Sequence, residues 1–124
     1  MINVLIHCCE KRFALFARGH ADYAPYGQDV VCAGVSALIY ALAGTVLEME
    51  DEGLFARVPF VKMSPGKACI VAWSGERSLE RVKGAFQTVE AGLSLIAGDY
   101  PENLRLKIQD AGMGRKESRE HEKL

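Results

Sequence analysis

Hydrophobic positions along the chain follow two periods. Ile2-Asn3-Val4-Leu5-Ile6-His7-Cys8 is rich in β-branched residues and predicts a strand. Glu10-Lys11-Arg12 is a polar turn, and Phe13 to Arg18 predicts a second strand that closes a hairpin with the first. Gly19 to Gln28 carries Asp22, Pro25, Gly27 and two tyrosines, the composition of a loop. The period then changes. Val31, Val35, Leu38, Leu42, Val46 and Met49 recur at steps of 4, 3, 4, 4 and 3, which is helical spacing. Asp29 stands where its carboxylate can cap that helix, and Gly53 ends it.

Leu54-Phe55-Ala56-Arg57-Val58 and Ala68-Cys69-Ile70-Val71-Ala72-Trp73 predict two further strands, with Ser64-Pro65-Gly66 as the turn between them. Leu79, Val82, Phe86, Val89, Leu93 and Ile96 predict a second helix, stopped by Gly98 and Pro101. Leu104 to Ile108 alternates as a half-buried strand. Positions 113–124 form a mixed-charge tail expected to fray, which leaves 1–112 as one domain. The order ββ-α-ββ-α-β implies an α+β fold, a mostly antiparallel sheet with two helices packed on one face.

Composition narrows the function classes. With 124 residues the chain suits a single domain, and 49% hydrophobic with 25% charged residues is a globular mix. Fifteen Lys and Arg against sixteen Asp and Glu give a net charge of −1, so there is no global pull toward nucleic acid; any such contact needs a local patch. Val30 to Leu47 runs 18 residues without a charge, which touches the threshold of about 18 for a membrane span. Its small and polar residues and its acidic flanks, without Lys or Arg to orient it, argue for a core helix instead. The opening Met1 to His7 lacks a basic n-region and a cleavage site, so a cytoplasmic address is expected. Cys8, Cys9, Cys32 and Cys69 are then expected as free thiols. No C-x-x-C pair occurs, and a metal site from His7, Cys9 and distant partners fits four-ligand spacing poorly, so neither metal nor cofactor is expected. Ala33, Ala37, Ala41 and Gly44 give the first helix a small-residue surface suited to close approach, and a homodimer is expected.

Chemistry concentrates between Gly19 and Leu38. With Asp29 as cap, Cys32 takes the third helical position, where unpaired N–H groups and the helix dipole favour an anion. The thiolate is the nucleophilic form of cysteine. His20 ends the second strand twelve residues earlier, and a connecting loop brings strand end and helix start together. A Cys/His pair is the minimum for an activated thiol nucleophile. Ser36 lies one turn beyond Cys32 on the same face, placed to steer the sulfur, to bind substrate, or only to bond back to the Cys32 carbonyl. Asp29 either orients His20 or only caps. A buried helical cysteine is commonly an inert small hydrophobe, so the residues alone leave both readings open.

Gly19-His20, a loop containing Gly27, and Asp29-Val30-Val31-Cys32-Ala33-Gly34-Val35-Ser36 resemble the signature of the ribosomal-processing cysteine protease family, Prp. Gly34 stands where alanine is more usual. The resemblance implies a homodimeric cytoplasmic endopeptidase. Its partner is the N-terminal peptide of a large-subunit ribosomal protein, cut next to a phenylalanine to remove a short extension. It makes His20 and Cys32 the catalytic dyad, with Asp29 and Ser36 as supporting polar groups. Backbone N–H groups of Cys32 and Ala33 are the expected oxyanion donors. The loop Ala21–Gln28 is the expected lid, hinged at Gly27, with Tyr23 and Tyr26 facing an aromatic substrate residue. Neither membrane nor direct nucleic-acid contact is expected. Two other classes remain: a thiol acyl-transfer or redox protein using Cys32, and a ribosome- or RNA-binding module built on Arg12, Arg18, Arg57, Lys62 and Lys67.

Overall fold

A computed structural model describes residues 1–112 and 115–121. The chain runs β1 (Ile2–Cys9), β2 (Arg12–Arg18), α1 (Val30–Asp51), β3 (Phe60–Ser64), β4 (Lys67–Trp73), α2 (Leu79–Asp99), β5 (Leu104–Gly112) and β6 (Arg115–His121). One sheet takes all six strands in the order β3-β4-β2-β1-β5-β6. Every pairing is antiparallel except β1 with β5, so the sheet is mixed and mostly antiparallel.

This topology puts both helices on one side. The antiparallel pairings make β3 parallel to β2, and β5 parallel to β4, so α1 and α2 are both crossovers between parallel strands. Such crossovers are right-handed. The two start from opposite strand directions and travel toward opposite edges, and the two reversals cancel. Ile2, Val4 and Ile6 of β1, Phe13 and Leu15 of β2, Ile70 of β4 and Leu104, Leu106 and Ile108 of β5 point into the helical layer and are buried. From α1 the core takes Val31, Val35, Ile39, Leu42, Ala43, Val46 and Met49. From α2 it takes Val82, Phe86, Val89, Leu93 and Ala97, with the Phe86 ring 5.6 Å from that of Phe13. Gly92 lets the helices approach closely: a Cβ there would lie 2.9 Å from Leu38 Cδ1.

α1 is long and apolar enough to cross a membrane by length and composition. Its buried stripe packs on α2 and the sheet, the role expected of a core helix.

One sequence expectation is corrected. Leu54–Val58 is not a strand; it contributes one bridge, Phe55 with Ser74, and β3 begins after Pro59. The reason is register. A two-residue Pro65-Gly66 turn pairs Ser64 with Lys67, and counting back brings Phe60 opposite Val71. Pro59, without an N–H, cannot carry the ladder further. Within the segment expected to fray, Arg115–His121 pairs with β5 as an edge strand. The expected fraying at positions 113, 114 and 122–124 lies outside the described residues.

Phe86 joins the helical layer to the sheet and is 1% exposed. Phe86→Ala is expected to cost about 3–5 kcal/mol, read as a lower midpoint in urea unfolding at unchanged slope.

Candidate active site

The site lies where β2 hands the chain to α1. Gly19 leaves β2 at φ 104°, and its N–H donates to the Gly66 carbonyl at 2.9 Å. A Cβ at Gly19 would sit 2.3 Å from the Met1 carbonyl oxygen, so only glycine fits. His20 comes next, with its ring against Gly66: a Cβ on Gly66 would lie 2.9 Å from His20 Nε2. Gly66 has φ 73° in the β3–β4 turn, so the hairpin presents bare backbone to the imidazole.

The loop that follows is held by its first half. Met1 N donates to Asp22 Oδ2 at 3.1 Å, and Asn103 Nδ2 donates to the Ala21 carbonyl at 2.9 Å. Tyr23 sets its ring edge-on to Tyr100 at 5.3 Å. Asp29 then joins loop to helix. Its Oδ2 accepts from the N–H groups of Tyr23 (2.9 Å) and Ala24 (3.3 Å), and its Oδ1 accepts from Cys32 N–H (2.9 Å). Desolvation opposes ionisation of this carboxyl, but the N–H donors from Cys32, Tyr23, Ala24 and Val31 outweigh it and hold the group below its ordinary value.

The hydrogen bonds at Asp29 and Ser36 are as follows. Asp29 caps and staples; its oxygens are committed to backbone donors, and among the described residues it makes no bond to His20. Ser36 does not bond back to the carbonyl four residues earlier, as Thr88 does to Gly84 in α2. Its hydroxyl lines the cleft without a protein partner among the described residues.

Two adjoining hollows meet at this point. One, of about 530 Å³, is lined by the loop, Asp29, Cys32, Ala33 and Ser36, with His20 at its mouth. The other, of about 410 Å³, runs between α1 and the β3–β4 turn past Tyr40, Met63 and Pro65. His20, Tyr26, Cys32 and Ser36 border both, with no hydrogen bond between His20 and Cys32 among the described residues. Tyr40, Met63 and Gly66 were not anticipated. Gly66 could have been found from the β2–β4 register, which sets Arg18 opposite Lys67 and so brings the turn beside Gly19.

Both expected oxyanion donors are engaged in this structure: Cys32 N–H donates to Asp29 Oδ1, and Ala33 N–H to the Asp29 carbonyl at 3.0 Å. The lid expectation narrows as well. Tyr23 is packed on Tyr100, while Tyr26 is fully exposed and Gly27 adopts φ 88°, so the part without such anchors is Pro25 to Gln28. The other thiols lie on strands away from the cleft. Cys8 is pushed up to about 11, by burial first and then by the carboxylates of Asp110 and Glu90. Burial also raises Cys69. Among the described residues no cluster of His, Cys, Asp and Glu could hold a metal ion.

Comparison with known proteins gives the family. The family model for cysteine protease Prp matches residues 1–105. Ribosomal processing cysteine protease Prp of Staphylococcus aureus strain Mu50 is 30% identical over 91 residues, covering 73% of this chain and 81% of that protein. The Bacillus subtilis strain 168 protein of the same name is 26% identical over 98 residues, covering 71% of this chain and 78% of its own. The crystal structure of the S. aureus protease with a covalently linked product peptide superposes with a TM-score of 0.70 at 28% identity, covering 88% of this chain and all (100%) of that one. The structure of the same protease with a substrate peptide gives 0.63 at 25% identity over 88% and 100% of the two chains. The protein is thus a cysteine protease. It belongs to the Prp family.

Asp29 generates a prediction with a defined sign. A depressed carboxyl contributes its stability fully above the ordinary value of 3.8 and loses it as pH falls through the lower folded value. Asp29→Ala is expected to lower the melting temperature at neutral pH and to speed amide exchange at Tyr23, Ala24 and Cys32. Near pH 2 the difference from wild type should shrink, which hydrogen-exchange mass spectrometry and thermal melts check.

Proposed function

We infer that Cys32 is the nucleophile and His20 its acid–base partner, and that the substrate is the N-terminal extension of a large-subunit ribosomal protein. The observation that carries this reading is the shared wall of the two hollows. A thiol at the first turn of α1 and an imidazole just past the end of β2 open onto the same space. The relatives are named ribosomal processing proteases, and one holds its product peptide covalently.

The Cys32 thiolate attacks the scissile carbonyl carbon, forming a C–S bond and a tetrahedral oxyanion. Collapse breaks the C–N bond, and the imidazolium of His20 gives its proton to the departing amine. Water, losing a proton to His20, attacks the thioester and returns Cys32 as thiol. The Ser36 hydroxyl, lacking a protein partner among the described residues, is a side-chain donor available to the substrate. Pro25 to Gln28, hinged at Gly27, closes over the peptide and carries Tyr26 toward it.

The protein works as a cytoplasmic homodimer on this reading. Free thiols at Cys8, Cys9, Cys32 and Cys69 suit a reducing compartment. The outward side of α1 supports the dimer: Ala33, Ala37, Ala41 and Gly44 are exposed together with Tyr40 (64%) and Leu47 (48%). Ala41→Glu is expected to yield a monomer by light scattering; an unchanged mass argues against this face.

Cleavage is tested with a peptide from the N-terminus of the ribosomal protein, read by mass spectrometry. Cys32→Ala and Cys32→Ser are expected to abolish cleavage while melting like the wild type, since Cys32 is only half-buried. Turnover at the wild-type rate by either variant would remove Cys32 from the mechanism. In a separate labelling experiment, iodoacetamide at neutral pH should modify Cys32 before Cys8 and Cys69, and His20→Ala should slow it.

A further inference from the structure

Among the described residues, no helix covers the face of β1 to β5 turned away from α1 and α2; Arg57 lies over Trp73 at one end of it, and its charged strand positions are basic. Strand alternation sends Arg12 and Arg18 of β2, Lys62 of β3, Lys67 of β4 and Lys107 of β5 to this face, and each is exposed. They are far apart in the sequence and show no linear basic run. Pairing assembles them: Arg18 lies opposite Lys67, and Lys107, Leu5, Phe16, Cys69 and Lys62 form one row across five strands. Among the described residues, no Asp or Glu takes an outward position on β1 to β5. Asp110, paired with Cys8, lies on the helical side. The chain as a whole has net charge −1, so its acids are segregated elsewhere, as in Glu48, Glu50, Asp51 and Glu52 at the end of α1.

Two aromatic faces stand in this field. Phe16 is 38% exposed at its centre and Phe60 is 49% exposed on β3. Two strands across and two residues along separate them by about 12 Å. A shallow hollow of about 480 Å³ lies between Leu5, Phe16, Cys69 and the basic side chains. Asn3 and Gln109 on the same face supply neutral donors and acceptors, and His7 Nδ1 lies 3.2 Å from the Arg12 guanidinium.

We propose that this open face of the sheet, with Phe16 and Phe60 amid Arg12, Arg18, Lys62 and Lys67, binds single-stranded RNA. Cations neutralise phosphates, and exposed rings offer stacking to unpaired bases. An acidic peptide would use the charges but leave the two rings without a matching surface. A second copy of this face would bring like charges together. Asn3 and Gln109 match the donor and acceptor character of a ribose hydroxyl. Arg18 and Lys67 also border the hollow beside His20, so the bound strand lies next to the protease cleft without entering it.

The test is fluorescence anisotropy with a labelled oligouridine, the matching oligothymidine, and a duplex, on the full chain at several salt concentrations. Oligouridine is expected to bind most tightly, with log affinity falling against log salt at a slope of about −3 for four or five phosphate contacts. The Arg12→Glu/Lys62→Glu double variant should bind at least tenfold more weakly with a shallower slope. Phe60→Ala should lose about fivefold or more at unchanged slope. Peptide cleavage by these variants should equal that of the wild type. Absence of binding at low salt overturns the proposal. So does equal affinity for the deoxy strand or the duplex, displacement by poly-aspartate with no effect of Phe60→Ala, or a change of oligomeric mass on Lys62→Glu.

Discussion

Everything at this site hangs on the carboxylate of Asp29. A helix start leaves N–H groups without partners, and a loop entering it leaves more. Asp29 answers both with its two oxygens, one to Cys32 and one to Tyr23 and Ala24. The position of the thiol and the course of the preceding loop therefore have one common origin. A serine cap could satisfy the helix but has a single oxygen, and the loop would be left to its own entropy.

The same economy explains why the fold places the thiol at the sheet's edge of activity rather than in its core. α1 must cross from β2 over β4 to β3, so its first turn lies beside the end of β2 and the turn that joins β3 to β4. His20 comes from the first of these, and Gly66 from the second. The buried stripe of α1 starts at Val31 and runs to Met49, which fixes the helix's rotation and turns Cys32 and Ser36 toward the cleft. Packing thus decides which residues face the substrate, and the cap decides where the first of them begins.

Much of this was legible in the residues. The helical stripes, the cap at Asp29, the stop at Gly53 and the strand pairs β1–β2 and β4 follow local rules of period and turn chemistry, and the stretch from Gly19 to Ser36 announced the chemistry. What was not legible is non-local. Leu54–Val58 has strand composition, yet the tight Pro65-Gly66 turn allots the pairing partners of β4 to Phe60–Ser64 instead. The parallel contact of β1 with β5 leaves no mark in the sequence of either. The grouping of Arg12, Arg18, Lys62 and Lys67 on one surface likewise emerges only from register.

The contact between His20 and the backbone of Gly66 has a consequence for how this chain tolerates change. The imidazole rests against a residue that has no side chain, in a hairpin more than forty positions away along the polypeptide. Any replacement there would push on the ring, and any lengthening of that turn would withdraw its support. Two segments that share no helix or strand are therefore bound to vary together, and the small hairpin at the margin of the sheet has as little freedom to drift as the cleft itself.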